Sequence, residues 1–195
     1  MCGIIARITT KANSPIKSLL GLKELEYRGY DSYGILISKT NNETILIKDT
    51  ACLTKQTLDK LKLFKSNIEI GHTRWATHGG VTKQNAHPHY DTSKQFYVVM
   101  NGIIENHNEI KNELLEYGYN FNSQTDTELI PALYSIYYSK YNNYNQINNP
   151  NKQNTNTKEI LIKITKKIIS KLKGEFSFIL KYKKLFCLDT KILIQ

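Results

Sequence analysis

The chain has 195 residues, 40% of them hydrophobic and 23% charged, enough apolar material for one well-packed domain and without the bias of a collagen or a wholly disordered protein. No apolar run is long enough to span a bilayer, and no basic segment followed by an apolar one opens the chain, so neither a membrane association nor secretion is expected and the cytoplasm is the expected location. The net charge of +10 is carried almost wholly by Lys, in a chain also rich in Asn, Ile and Tyr; these four residues share A/T-rich codons. No basic run is interleaved with aromatics, so no nucleic-acid partner is expected.

In chain order, Gly3–Ile8 is a short apolar run that predicts a buried strand. Ser14-Pro15 opens a helix, with Ser as N-cap and Pro at the first helical position. Ile16, Leu19, Leu20, Leu22 and Leu25 give it an apolar face. Gly29, Asp31, Ser32 and Gly34 mark a turn-rich stretch. Strands are predicted at Ile35–Ser38 and Thr44–Lys48, joined as a hairpin through Asn41-Asn42. Leu53, Leu58, Leu61 and Phe64 fit an amphipathic helix, and Ile68–Ile70 a strand. Ala76–Asp91 predicts a long loop, Phe96–Met100 a strand with Asn101-Gly102 as its exit turn. Helices follow at Asn106–Tyr117, closed by Gly118, and at Asp126–Tyr138. From Tyr141 to Thr157 the composition turns to Asn, Gln, Lys and Thr, which predicts a flexible surface insert. Ile160, Ile164, Ile168 and Leu172 mark a last helix ended by Gly174, and Phe176–Lys181 and Leu185–Leu188 a final hairpin. Tight turns between strands, without regular βαβ alternation or a glycine-rich phosphate loop, predict a layered α+β sandwich of largely antiparallel sheets.

The chemistry begins at Met1-Cys2-Gly3. Cysteine after the initiator Met allows that Met to be trimmed, which leaves the Cys2 thiol beside a free α-amine. Nucleophile and base would then reside in one residue. The other cysteines, Cys52 and Cys187, are distant in sequence and form no CxxC pair; both are expected to be buried bystanders, and no disulfide framework is expected. His72, His78, His87, His89 and His107 fall in one third of the chain. No Cys or carboxylate lies at ligand spacing from His87-Pro88-His89, so no metal and no cofactor are expected. Polar and glycine-containing clusters sit at predicted strand ends: Arg28–Ser32, Thr73–Gly79, Asn101-Gly102 and Thr125–Thr127. A buried-core role suits none of them well, since Arg and Asp are rarely buried unpaired. For Arg74 and Asp126 a plain structural ion pair is the bland alternative, and for Trp75 ordinary core.

The segments CGII from Cys2, LEYRGYDS at Leu25–Ser32, GHTRWATHG at Gly71–Gly79, NAHPH at Asn85–His89, NGIIENH at Asn101–His107 and TDTE at Thr125–Glu128 occur together and in order. In this set the chain resembles the glutaminase domain of the glutamine–fructose-6-phosphate aminotransferases, class II glutamine amidotransferases with the N-terminal-nucleophile hydrolase fold. The resemblance implies a four-layer αββα sandwich. It implies L-glutamine as substrate and Cys2 as the nucleophile, with its own amine as base and Arg28 holding the residue. Asn101 and Gly102 are the implied oxyanion hole. Arg74 is implied to bind the glutamine α-carboxylate and Asp126 the α-ammonium, while Trp75, Thr77 and His78 belong to a closing loop. No metal or cofactor is implied.

Ala6 and Tyr33 depart from the family pattern where it has small residues, and Tyr33 is expected to crowd Arg28. The larger departure is at the end: the family continues with further strands and two sugar-isomerase domains, whereas residues 190–195 follow no such pattern. A single domain over 2–195, lacking closing strands and isomerase domains, is expected. It would act as a fragment or as a split subunit beside a separately encoded sugar isomerase that binds fructose 6-phosphate. The alternative is a non-catalytic remnant or interaction module that keeps the fold.

Overall fold

Two antiparallel sheets of four strands each lie at the centre of the structure, a computed structural model that describes residues 2–39, 43–76, 79–148, 157–182 and 185–191. The elements run β1 (Gly3–Asn13), α1 (Ile16–Glu24), β2 (Ser32–Ser38), β3 (Thr44–Asp49), α2 (Lys55–Leu61), β4 (Ser66–Arg74), β5 (His89–Tyr90), β6 (Phe96–Gly102), α3 (His107–Glu116), α4 (Leu129–Asn148), α5 (Thr157–Lys171), β7 (Phe176–Tyr182) and β8 (Leu185–Lys191). Single 3₁₀ turns occur at Glu26–Arg28 and Asp126–Glu128. The first sheet has the order β1-β4-β2-β3 and the second β5-β6-β7-β8.

Side chains alternate across each strand, so every strand feeds two layers. Tyr33, Ile35 and Ile37 of β2 pack outward on Leu19, Leu22 and Leu61 of the first two helices. Leu36 and Ile70 turn the other way and meet Tyr97, Val99 and Ile179 of the second sheet. Phe96, Val98 and Met100, with Phe176, Phe178 and Leu180, face α3, α4 and α5 through Ile110, Leu133, Ile164 and Ile168. Three apolar seams between four layers give the αββα sandwich.

Local differences from expectation have physical reasons. β4 lies between β1 and β2; it is paired on both sides from Ile68 to Thr73, and single-sided pairs at Ser66 (with β1) and Arg74 (with β2) carry it well beyond Ile68–Ile70. The same pairing draws Ser32, Tyr33 and Gly34, expected in a turn, into β2. Tyr33, expected to crowd Arg28, is part of the outer core with Leu19, Leu22 and Leu53. The predicted loop 76–91 contains β5, paired with Tyr97 and Val98. Residues 141–148, expected in a flexible insert, continue α4, because Tyr137, Tyr138 and Tyr141 give that helix an apolar side packed on the core; 149–156 lie outside the described residues. Ser14 Oγ does accept from the Ile16 N–H, at 3.4 Å, but α1 begins one residue later than expected, after Pro15. Gly118 follows α3 with φ +75°, and its N–H and that of Tyr119 bond back to Leu115 and Leu114, the left-handed helix end its sequence position predicts. α5 stops at Lys171, short of Gly174. The Asn41-Asn42 turn lies outside the described residues; the strands on either side pair as a hairpin, Ser38 opposite Thr44.

Candidate active site

The start of β1 meets the end of β4: Gly3 is opposite Thr73, and on the other side of β4 Ser32 is opposite Arg74. This register sets Cys2 beside the Arg74–Trp75 peptide. The Trp75 N–H donates to Cys2 Sγ at 3.2 Å. The Cys2 carbonyl accepts from Arg28 Nε at 3.3 Å and from the Asn101 side-chain amide at 3.1 Å. The first sheet and the second therefore both hold the residue that carries the thiol.

The segment that meets the thiol is itself strapped down. Gly29 lies flat against it: a Cβ there would stand 2.6 Å from the Arg74 carbonyl carbon and 2.8 Å from the Trp75 nitrogen. The Asp31 N–H donates to the Arg74 carbonyl at 3.1 Å, and the Asp31 carboxylate accepts from the Ala76 N–H at 2.7 Å. The sequence marks Asp31 and Gly29 as turn residues in a polar cluster; their place against β4 needs the strand order.

A recess opens here, lined by Cys2, Arg74, Trp75, Gly102 and Asp126 together with Thr125 and Thr127. Arg28 and Asn101 line a neighbouring recess that shares Cys2. Thr77 and His78 lie outside the described residues. Arg74 donates to the carbonyls of Gly80 and Gly79 at 3.2 and 3.4 Å. Burial pushes its pKa down, opposed by Cys2, Asp31 and Asp126. Asp126 accepts the Ile104 N–H at 2.8 Å. Each thus has a backbone partner of its own, whatever the two contribute to each other. A guanidinium and a carboxylate in one recess match the two charges of an amino-acid head group. Gly102 has φ +106°, and a Cβ there would lie 2.1 Å from the Glu175 carbonyl oxygen. Only glycine fits this exit from β6.

Two expectations are corrected here. The polar clusters are buried in part: Arg74 is 4% exposed, and Ser32, Thr73 and Thr127 are no more than 1% exposed, whereas Tyr30, Gly79 and Gly102 are exposed. Partners make this tolerable; Thr73 Oγ1 donates to the Leu25 carbonyl and Glu128 accepts the N–H groups of Asn122 and Ser123. Trp75 is 45% exposed, edge-on to Tyr30 at 5.4 Å, which removes the bland alternative of ordinary core. Cys52 is exposed rather than buried, since it precedes α2 in a surface turn. The Cys187 side chain lies outside the described residues.

Beneath the recess is a row of imidazoles that the sequence presents only as possible metal ligands. His72 and His87 stack at 4.1 Å between ring centroids, and His89 meets His87 edge-on at 4.7 Å. His89 Nε2 lies 2.9 Å from Thr125 Oγ1. β5 begins only at His89, opposite Val98, so it gives Met100 no ladder partner. The imidazoles take its place: the Met100 N–H donates to His87 Nδ1 at 3.3 Å, and His72 Nε2 lies 3.0 Å from the Met100 carbonyl. Burial lowers the His72 pKa to about 4 and those of His87 and His89 well below the usual range, so all three are neutral at pH 7. Among the described residues no three His, Cys, Asp or Glu side chains are arranged to hold a metal ion, and no helix is long and apolar enough to cross a membrane.

The glutamine amidotransferase domain model matches residues 38–143. The glutamine–fructose-6-phosphate aminotransferase (isomerizing) of Fusobacterium nucleatum is 40% identical over 189 residues, which cover 94% of this chain and 27% of that protein. The enzyme of the same name from Methanococcus maripaludis is 49% identical over 141 residues, 68% of this chain and 22% of that one. The chain thus spans about a quarter of the length of these relatives. Among solved structures, the glutamine phosphoribosylpyrophosphate amidotransferase from B. subtilis superimposes with a TM-score of 0.68 at 20% identity, over 97% of this chain and 37% of that one. This likeness identifies the N-terminal-nucleophile hydrolase fold expected from the sequence. By the family model, which covers more than half of its length, the chain belongs to the glutamine amidotransferase domain family.

Proposed function

We propose that the chain hydrolyses the side-chain amide of L-glutamine and supplies the ammonia for conversion of fructose 6-phosphate to glucosamine 6-phosphate. The observation that carries this reading is the meeting of Cys2, Arg74, Gly102 and Asp126 in one recess, with Asn101 bonded to the Cys2 backbone. The acceptor half rests on the names of the relatives, which are about four times longer. A sugar-isomerase unit is the partner in that reading.

After removal of Met1, the Cys2 α-amine takes the thiol proton through a water, and Sγ attacks the glutamine Cδ. The amide oxygen becomes an oxyanion. An Asn side chain carries two N–H donors; one bonds the Cys2 carbonyl, and this reading gives the other, with the Gly102 N–H, to the oxyanion. Such a donor contributes about 2.7–4 kcal/mol in the transition state. The intermediate collapses as the ammonium form of the base returns its proton to the leaving nitrogen. Ammonia departs and a γ-glutamyl thioester remains on Cys2. Water, deprotonated by the same amine, then attacks the thioester, releasing glutamate and the thiol. Arg74 holds the α-carboxylate and Asp126 the α-ammonium throughout, and Trp75, Thr77 and His78 belong to the segment that closes over the substrate. The test is ammonia release from L-glutamine by the purified chain: turnover is expected, lost in Cys2→Ala, and no turnover in the intact protein overturns the proposal.

A further inference from the structure

We infer that His72 is a positioning residue for this reaction, its Nε2–H holding the Asn101 carboxamide so that the NH2 end faces Cys2 and the oxyanion. The inference rests on the glutaminase reading proposed above. His72 is fully buried, and no step of the mechanism uses it.

The hydrogen-bond inventory fixes the orientation of both side chains. The Cys2 carbonyl is an acceptor only, 3.1 Å from the Asn101 amide, so the NH2 end must point there. The amide oxygen then lies 3.0 Å from His72 Nε2. The Met100 carbonyl, a second acceptor, lies 3.0 Å from the same nitrogen. A nitrogen facing two acceptors must carry the proton. His72 Nδ1 is buried and has no partner among the described residues; a proton there would be an unsatisfied buried donor, at a cost of about 1–3 kcal/mol. The imidazole is therefore the neutral Nε2–H tautomer.

The ring has no freedom to turn away. His87 lies flat on it at 4.1 Å and is itself tied by Nδ1 to the Met100 N–H. Together the two imidazoles grip both polar groups of Met100, the residue before Asn101, and one of them also grips the Asn101 side chain. Without the His72 donor, only the Cys2 carbonyl orients the amide. A flipped amide would present its oxygen to the oxyanion, an acceptor where a donor is required.

The test compares His72→Met, which removes the donor, with His72→Gln, whose amide nitrogen reaches the Nε2 position. Removing an oxyanion donor outright lowers kcat about 10²–10³-fold, so His72→Met is expected to lower kcat for glutamine about 10–100-fold with KM within about twofold. His72→Gln should recover most of the rate. Because both changes act through one amide, His72→Met in an Asn101→Ala background should cost nothing further. Nitrogen NMR of the wild-type imidazoles, independent of turnover and of any variant's folding, should show His72 protonated at Nε2 alone. A slow Asn101→Ala beside a fully active His72→Met, additive losses in the double variant, or a proton on Nδ1 would each overturn the inference and leave the glutaminase reading standing. An unimpaired Asn101→Ala would overturn the oxyanion assignment and this inference with it.

Discussion

Asp31 and Ala76 are joined by a 2.7 Å hydrogen bond from the Ala76 N–H to the Asp31 carboxylate. With the Gly29 contact, that bond positions the Arg74–Trp75 peptide whose N–H meets the Cys2 sulfur at 3.2 Å. The thiol is thus positioned by a chain of contacts running from the turn after α1, not by its own strand alone.

Gly29→Ala should push that peptide away, because backbone atoms stand 2.6 and 2.8 Å from the new Cβ. Displacement of a catalytic group by about 1 Å can cost about 10²-fold. The expected result is a loss of that order in ammonia release by a variant that retains a cooperative melt. Wild-type turnover in Gly29→Ala would show that the Trp75 N–H has no part in the reaction.

Labelling tests the nucleophile. Cys52 is exposed and Cys2 only partly so, so a small unselective alkylator should modify Cys52 readily. A glutamine-shaped electrophile should instead label Cys2, because the proposed function has Arg74 and Asp126, which line the same recess, recruit the head group. Peptide mass mapping checks this, and intact mass should show that the active chain begins at Cys2. An active protein that retains Met1 contradicts the α-amine as base.

Much of this site was legible in the sequence for a specific reason. Cys2, Arg74, Gly102 and Asp126 sit at element ends, where glycines and polar residues interrupt apolar runs. The layers were legible too, since Ile35 and Ile37 against Leu36 show the period of two directly. What pairing decides was not. β4 reaches Arg74 because its pairing with β2 extends to Ser32, and no local propensity marks that. Asp31 and His72 lie inside the motif segments, yet their work is done on Ala76 and Asn101, one distant in sequence and the other in the opposite sheet. The tyrosines that extend α4 were hidden by the Asn-rich composition around them.

Asp126 has one task in the structure and a second in the proposed function, and two substitutions separate them. Its carboxylate fixes the start of the β6–α3 connection through the Ile104 N–H at 2.8 Å, besides lining the recess. Asp126→Asn keeps an acceptor for Ile104 but loses the charge. It should raise KM for glutamine about tenfold or more, with little change in kcat or melting temperature. Asp126→Ala loses the acceptor as well and should also destabilise the fold by about 1–3 kcal/mol, because a buried N–H is left unpaired. If Asp126→Asn leaves KM unchanged, Asp126 holds the backbone and not the substrate.

The imidazole row predicts acid sensitivity with a defined direction. His72 has its pKa lowered from 6.5 to about 4 by burial, and those of His87 and His89 are also lowered, by burial and by neighbouring positive charge. Below the ordinary histidine pKa the unfolded chain binds protons that the folded chain does not, so stability must fall as pH falls. The contribution is complete above about pH 6.5 and lost progressively down to about pH 4, where His72 alone accounts for about 3 kcal/mol. Denaturant midpoints measured from pH 8 to pH 4 should therefore be flat at first and then decline below about 6.5, at constant m. Carboxylates contribute to any acid transition, so the discriminating comparison is with His72→Gln, which cannot titrate: its decline over the same window should be shallower by about that amount. Parallel curves for the two proteins would mean that His72 is protonated as easily in the fold as in the unfolded chain, which is incompatible with a neutral Nε2–H imidazole wedged between Met100, Asn101 and His87.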